Sequence, residues 1–294
     1  EHMRQWGSMA VMAFFLAVLL FAAHATTEAA ARTVRVGYYM FDGYQMQDEE
    51  EHRSGYGYDF LQEAARYTDW QYEYVGYTYG WARLQKMLDA GEIDILTSAR
   101  KTPERLGRYL FSESIGTSSG ILSVKSGNSQ LSADDYSTYQ GIRVGMIKDS
   151  SINKNFAKFA AAKGFAYVPV EFLNTWDMDA ALQDGSIDAI CTTNLRRGKN
   201  EWIVDQFDTD DFYAMLRPDG VELKKELDEA IQQMDRDSPG WRTALWNKYY
   251  RPMLGTQLPL TVSEKAFLAQ RTEPVTVLVN PDNAPYSSFV DGKA

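Results

Sequence analysis

Leu88-Asp89-Ala90-Gly91-Glu92-Ile93-Asp94 returns later in the chain as Leu182-Gln183-Asp184-Gly185-Ser186-Ile187-Asp188. Each copy reads as a helix stopped by a glycine that tolerates the left-handed C′ conformation, followed at once by a strand. A second phrase precedes each copy in the same order: Val34-Arg35-Val36-Gly37, then Ile142-Arg143-Val144-Gly145, both reading as a strand that opens a unit. Between the phrases lie amphipathic helix candidates at Tyr58 to Thr68 and Ser151 to Lys163, and strand candidates at Gln71 to Val75 and Ala166 to Val170. The order strand-helix-strand-helix-strand, twice over, predicts two α/β lobes with mostly parallel sheets. Ligands of such sheets sit beyond the carboxyl ends of the strands, so two facing lobes make a cleft.

Strands near Gly120 to Val124 and from Phe212 to Arg217 supply two chain crossings between the lobes, the requirement for a hinge. Helices from Glu222 to Met234 and Gly240 to Tyr250 then close the unit. The expected domain therefore runs over 32–252, with lobe 1 at about 32–122 and 215–252 and lobe 2 at about 123–214. Past it, Pro252, Gly255 and Pro259 mark a linker over 253–273. A fresh strand from Val275 to Val279 reads as the start of a further domain over 274–294, too short to bury a core of its own. At the other end, Arg4, the apolar run Met9 to Ala23 and the small-x-small patterns Ala23-His24-Ala25 and Ala29-Ala30-Ala31 read as an export signal over 1–31. The run is short for a membrane span, so a cleaved signal is preferred to an uncleaved anchor, and the rest is expected outside the cytoplasm.

Composition narrows the chemistry. A chain of 294 residues, 45% hydrophobic, can bury one large or two modest cores. The formal net charge of -10 repels nucleic acid and anionic headgroups and favours a small molecule or a protein as partner. The lone Cys191, in an apolar stretch read as a buried strand, rules out an intrachain disulfide. Of three histidines only His52 lies beyond the N-terminal segment. Zinc sites and serine-histidine catalysis have almost no raw material, and no cofactor is expected. The acidic runs Asp48 to Glu51 and Asp208 to Asp211 lack calcium-loop spacing and read as solvated loops.

Gly91-Glu92-Ile93-Asp94, Thr102-Pro103-Glu104-Arg105 and Phe111-Ser112, in that order, resemble the signature of the amino-acid-type periplasmic solute-binding proteins, bacterial extracellular solute-binding family 3. Gly57-Tyr58-Asp59-Phe60 is similar to that family's helix start, and Asp149-Ser150-Ser151 to one of its turns. The resemblance spans roughly Thr33 to Tyr250. It implies a periplasmic-binding-protein type II fold that closes on a small polar solute, an amino acid or related carboxylate, and catalyses nothing. The tail, Leu260 to Leu268 and then Pro274 to Phe289, is similar to the junction between tandem solute-binding domains of bacterial histidine kinases and diguanylate cyclases. It implies a sensor with membrane-tethered signalling domains. The alternative is a free-standing protein serving an ABC permease. An enzyme is a third reading, since some proteins on this fold perform dehydration, but only carboxylates are on offer as bases.

The resemblance also assigns residues. Arg105 takes the ligand carboxylate, a task suited to the paired donors of a guanidinium; its plain alternative is a solvated arginine on a short helix. Thr97 and Ser98, at a strand end, add hydroxyls, as any strand-end turn would. Trp81 stacks on the ligand, with Phe41 or Tyr44 covering the other face, yet Trp81, Leu84 and Leu88 also have the spacing of a helix packing on a core. Ser150 and Ser151 meet the ligand from lobe 2 or merely cap the next helix. Thr193 joins the set from Thr192-Thr193-Asn194, the stretch where the family usually places an acid for the ligand ammonium. Here no carboxylate stands, and Arg100 adds positive charge. Either the ligand has no α-ammonium, or Asp42 or Glu171 substitutes, or this lobe pair has lost ligand binding.

Overall fold

The structure is a computed structural model that describes residues 31–250 and a few short stretches between 266 and 288. In chain order lobe 1 opens with β1 (Arg32–Gly37), the short hairpin β2 (Met46–Gln47) and β3 (Arg53–Ser54), α1 (Tyr56–Ala64), β4 (Trp70–Val75), α2 (Trp81–Asp89), β5 (Ile95–Ala99) and α3 (Pro103–Leu106). The crossing strand β6 (Leu110–Lys125) leads to β7 (Ile142–Ile147), α4 (Ile152–Lys163), β8 (Tyr167–Phe172), α5 (Thr175–Asp184) and β9 (Ala189–Thr193) of lobe 2. A second crossing strand, β10 (Glu201–Leu216), returns the chain to α6 (Val221–Asp237) and α7 (Trp241–Tyr249). The predicted signal segment and nearly all of the predicted linker and further domain lie outside the described residues.

The repeated phrases prove to be one structural device used twice. Arg35 donates from Nε and Nη2 to the two carboxylate oxygens of Asp94, at 3.0 and 2.7 Å, and from its backbone N–H at 2.9 Å. Arg143 repeats the arrangement on Asp188, at 3.0, 2.7 and 2.7 Å. Each pair ties the first strand of a lobe to the strand after the glycine-stopped helix. The glycine ending each first phrase leaves room for the isoleucine of the second: a Cβ on Gly37 would lie 2.8 Å from Ile93 Cδ1, and one on Gly145 2.5 Å from Ile187 Cδ1.

Within each lobe the three strands are parallel, β4-β1-β5 in lobe 1 and β9-β7-β8 in lobe 2. The two crossing strands join them into one eight-stranded sheet, pairing antiparallel with each other, β10 with β5 and β6 with β9. Both are far longer than the short segments expected from the sequence. The acidic run at Asp208, expected as a solvated loop, lies inside β10. There the register shifts between Phe207 and Asp210, and Asp208 takes a φ of 50°. This irregularity leaves Asp208 and Asp210 exposed without breaking the strand.

Helices cover both faces of each half. In lobe 1, α1, α6 and α7 bury Phe60, Leu227, Ile231 and Trp241 against β1 and β5, while α2 buries Leu84 and Leu88 on the opposite side. In lobe 2, α4 packs Phe156 and Ala160 against β7 and β9, and α5 packs Met178 and Leu182 against the other face. Cys191 is buried in β9, as its apolar surroundings predict.

Candidate functional site

A cleft runs between the lobes at the carboxyl ends of β1, β5, β7 and β9. Three helices of eight or more residues present their first turns to it: α2 through Gly80 and Trp81, α4 through Ser151 and Ile152, and α5 through Thr175 and Trp176. Free N–H groups and the helix dipole make the ends of α2 and α4 positive and favour a negatively charged solute, whereas at α5 Asn174 caps the Asp177 N–H and the Asp177 carboxylate offsets the dipole.

Arg105 is the centre of the lobe 1 wall. Its helix α3 is placed by Pro103 at the first turn and by the Thr102 hydroxyl, which accepts from the Arg105 backbone N–H at 3.2 Å. The side chain is only 8% exposed. It donates to the Arg100 carbonyl at 3.1 Å, lies 5.3 Å from the Trp81 ring centroid, and pairs with no carboxylate among the described residues. Burial lowers its pKa from the ordinary value, but a guanidinium so shifted keeps its charge. A buried cation whose neighbours are a carbonyl and an aromatic face is an incomplete ion pair, suited to completion by an incoming carboxylate.

Trp81 lines the cleft and also packs on the α2 core. Its Nε1 donor is buried without a partner. Tyr39 crosses edge-on to Trp81 at 5.8 Å and stacks on Phe41 at 5.5 Å. Burial pushes the Tyr39 phenol up to about 12, so it stays neutral, and it shares a 3.0 Å hydrogen bond with the Ser98 hydroxyl. Ser98 is held at a φ of 62°, an uncommon backbone state for a serine, at the strand end facing the cleft. On the lobe 2 side, the Ser151 hydroxyl makes no capping hydrogen bond in α4, which leaves it free for a ligand.

Seven of the nine expected contacts line this cleft together: Phe41, Trp81, Ser98, Arg105, Ser150, Ser151 and Thr193. Two do not. Thr97 is buried behind the wall, where its Oγ1 accepts from Gln45 Nε2 at 3.3 Å, because consecutive strand residues point to opposite faces. Tyr44 is fully buried, stacked on Tyr56 at 5.9 Å and edge-on to Phe212 at 5.8 Å, and serves as core. Tyr39, from the same segment, lines the cleft beside Phe41. Trp176 was also missed, although Asn174-Thr175-Trp176 opens α5 much as Gly80-Trp81 opens α2.

The candidate acids are elsewhere. Asp42 lines an adjacent cavity with Arg197, their side chains 3.4 Å apart, and Glu171 is exposed on β8. Arg100 lines the cleft, but its charge is already matched. It donates to the carboxylate and the carbonyl of Asp208 and to the carbonyl and hydroxyl of Ser118, clamping the end of β5 to both crossing strands. The extra positive charge expected from Arg100 is thus largely neutralised.

The lobes touch across the cleft. Thr175 donates from Oγ1 to the Met40 carbonyl at 3.1 Å, Lys154 pairs with Glu104 at 2.8 Å, and Gly80 abuts Leu173.

The family model of the bacterial extracellular solute-binding proteins, family 3, matches residues 34–252. The chain belongs to that family. A comparison with curated proteins found no match. Among solved structures, an ancestral arginine-binding protein bound to arginine superposes with a TM-score of 0.63 at 22% identity, covering 75% of this chain and 99% of that one. A putative L-cystine ABC transporter from Listeria monocytogenes gives 0.63 at 23% identity, covering 74% and 95%. An ancestral amino acid-binding protein, a precursor of cyclohexadienyl dehydratase, gives 0.63 at 20% identity, covering 74% and 95%. These likenesses establish the type II periplasmic-binding-protein fold of this family 3 member.

Proposed function

We propose that this family 3 protein binds a small carboxylate-bearing solute, an amino acid or related acid, between its lobes outside the cytoplasm, and that its task is recognition without chemistry. The observation that carries the proposal is Arg105: a buried guanidinium in the cleft, beside Trp81, with no carboxylate partner among the described residues. Ser150 and Ser151 at the start of α4 supply the opposing grip. Closure then links the two lobes through one ligand, and the ligand drives closure because only the closed form contacts it from both sides. The cleft lining contains neither histidine nor carboxylate, the commonest general bases, which supports the reading as a recognition site.

The closing motion fits a sensor domain that reports solute to membrane-tethered signalling domains of the same chain, the role indicated by the tail's resemblance to tandem sensor junctions. Service to an ABC permease is the second reading, favoured by the fold shared with a protein described as a putative L-cystine ABC transporter. Isothermal titration of the purified protein against amino acids and small carboxylates tests the binding role. Arg105→Ala is expected to weaken the bound acid by about a hundredfold, within the range for removing one partner of a buried charge pair. Retention of wild-type affinity in Arg105→Ala would remove the proposed anchor.

A further inference from the structure

We infer that the solute is an organic acid with an apolar, aromatic or branched body and no ammonium group. This deepens, and rests on, the proposal that the cleft holds a carboxylate.

The first support is the charge inventory of the cleft. Its lining includes two arginines and no aspartate or glutamate. The nearby acids lie outside that lining. Asp208 Oδ2 accepts from both Arg100 and Asn155, and Asp208 does not line the cleft. Glu104 and Asp149 line a neighbouring groove that meets the cleft at Arg105, Ser150 and Ser151; there Glu104 pairs with Lys154, and Asp42 belongs to the cavity beside Arg197. An ammonium brought in with the carboxylate would lose its hydration, meet no counter-ion in the lining, and lie among the positive ends of α2 and α4 and the Arg105 guanidinium.

The second support is independent and concerns hydrogen bonds. Two side chains that line the cleft have a buried nitrogen without a partner, Trp81 Nε1 and Arg100 Nε, and both are donors. Arg105 adds guanidinium N–H groups beyond the one given to Arg100. Donors without acceptors call for a ligand head that only accepts, as a carboxylate does and an α-amino acid does not.

The third support concerns the rings, whose faces are the remaining places to hold an ammonium. Arg105 already lies over Trp81 at 5.3 Å, Arg83 over Tyr79 at 3.5 Å, and Tyr39 is stacked on Phe41. What remains of Phe41, Trp81, Ile147, Ile152 and Trp176 is apolar surface suited to a hydrocarbon or aryl body.

The test is titration calorimetry of the full chain against pairs that differ only in the amino group: phenylalanine with 3-phenylpropionate, tryptophan with 3-indolepropionate, and leucine with 4-methylpentanoate. The inference expects at least one amino-free acid to bind about tenfold or more tighter than its amino counterpart, with phenethylamine not binding. It also expects Thr193→Asp, which places a carboxylate on the lobe 2 wall, to narrow or reverse that preference. Amino acids binding as tightly as their amino-free partners, with loss of binding in Arg105→Ala, would overturn the inference and leave the carboxylate site standing. Binding by no member of the panel, or binding indifferent to Arg105, would defeat both.

Discussion

Gly80 in lobe 1 lies so close to Leu173 in lobe 2 that a Cβ on Gly80 would come within 1.9 Å of the Leu173 carbonyl oxygen. Because the obstacle is backbone, no rotamer change relieves it, and the lobes must separate to admit a methyl group. Gly80→Ala is expected to weaken the ligand by about tenfold or more, since binding then has to work against an opened cleft. Calorimetry reads the affinity, and small-angle scattering should show a larger radius of gyration with ligand present than the wild-type protein has. Unchanged affinity and unchanged dimensions would mean that the closed contact is not required for binding.

The Arg35–Asp94 and Arg143–Asp188 pairs make stability depend on pH in acid. Hydrogen bonds from Arg143 hold Asp188 below the usual carboxylate range; for Asp94 burial opposes ionisation, and the Arg35 hydrogen bonds outweigh it. Carboxylates with depressed pKa contribute stability that is present above their unfolded value, about 3.9, and lost as pH falls through the folded value. Asp94→Asn and Asp188→Asn should each cost about 1 kcal/mol at neutral pH, the smaller loss at the more exposed Arg143 pair. Denaturant melts from pH 7 down to 3 should show the difference from wild type shrinking below about pH 4.

Gly145→Ala places a Cβ 2.5 Å from Ile187 Cδ1 and 3.0 Å from Met178 Cγ. Both are side-chain atoms, so the core can yield, at about 1–3 kcal/mol for overpacking. Gly37→Ala meets Leu96 Cδ2 at 2.5 Å and should behave alike in equilibrium unfolding.

Cys191 is 1% exposed in β9, and burial pushes its thiol up. A thiolate-selective reagent such as dithionitrobenzoate is expected to leave the native protein unmodified and to titrate one thiol in denaturant. Fast labelling of the native state would show that lobe 2 opens locally.

Much of the fold was legible because its causes are local. Helix periodicity and the glycine stops are set within a few residues, and the repeat of the two short phrases marks the units. The Arg–Asp bridge and the glycine–isoleucine fit that each phrase pair carries nevertheless form only when strands 59 and 45 residues apart in sequence meet. The crossing strands were legible only in part. The acids of β10 look like a loop until β6 pairs with the segment and a register shift at Asp208 lets them face water.

The sequence by itself determined the two α/β units, the succession of strands and helices along the chain and an arginine in the α3 turn. Only the tertiary structure decided which side chains share the cleft. Thr97 and Ser98 are adjacent in β5, and alternation guarantees that they face opposite ways; which way is the cleft depends on helices packed from elsewhere in the chain. The same packing turned Tyr44 into core and brought Tyr39 to Ser98. It also carried Asp208, 108 residues distant, to Arg100, so that of the two cleft arginines Arg105 is the one left without a carboxylate partner among the described residues. Chain-local pattern sets element type because backbone geometry is local, whereas charge pairing depends on distance in space, which the fold alone fixes.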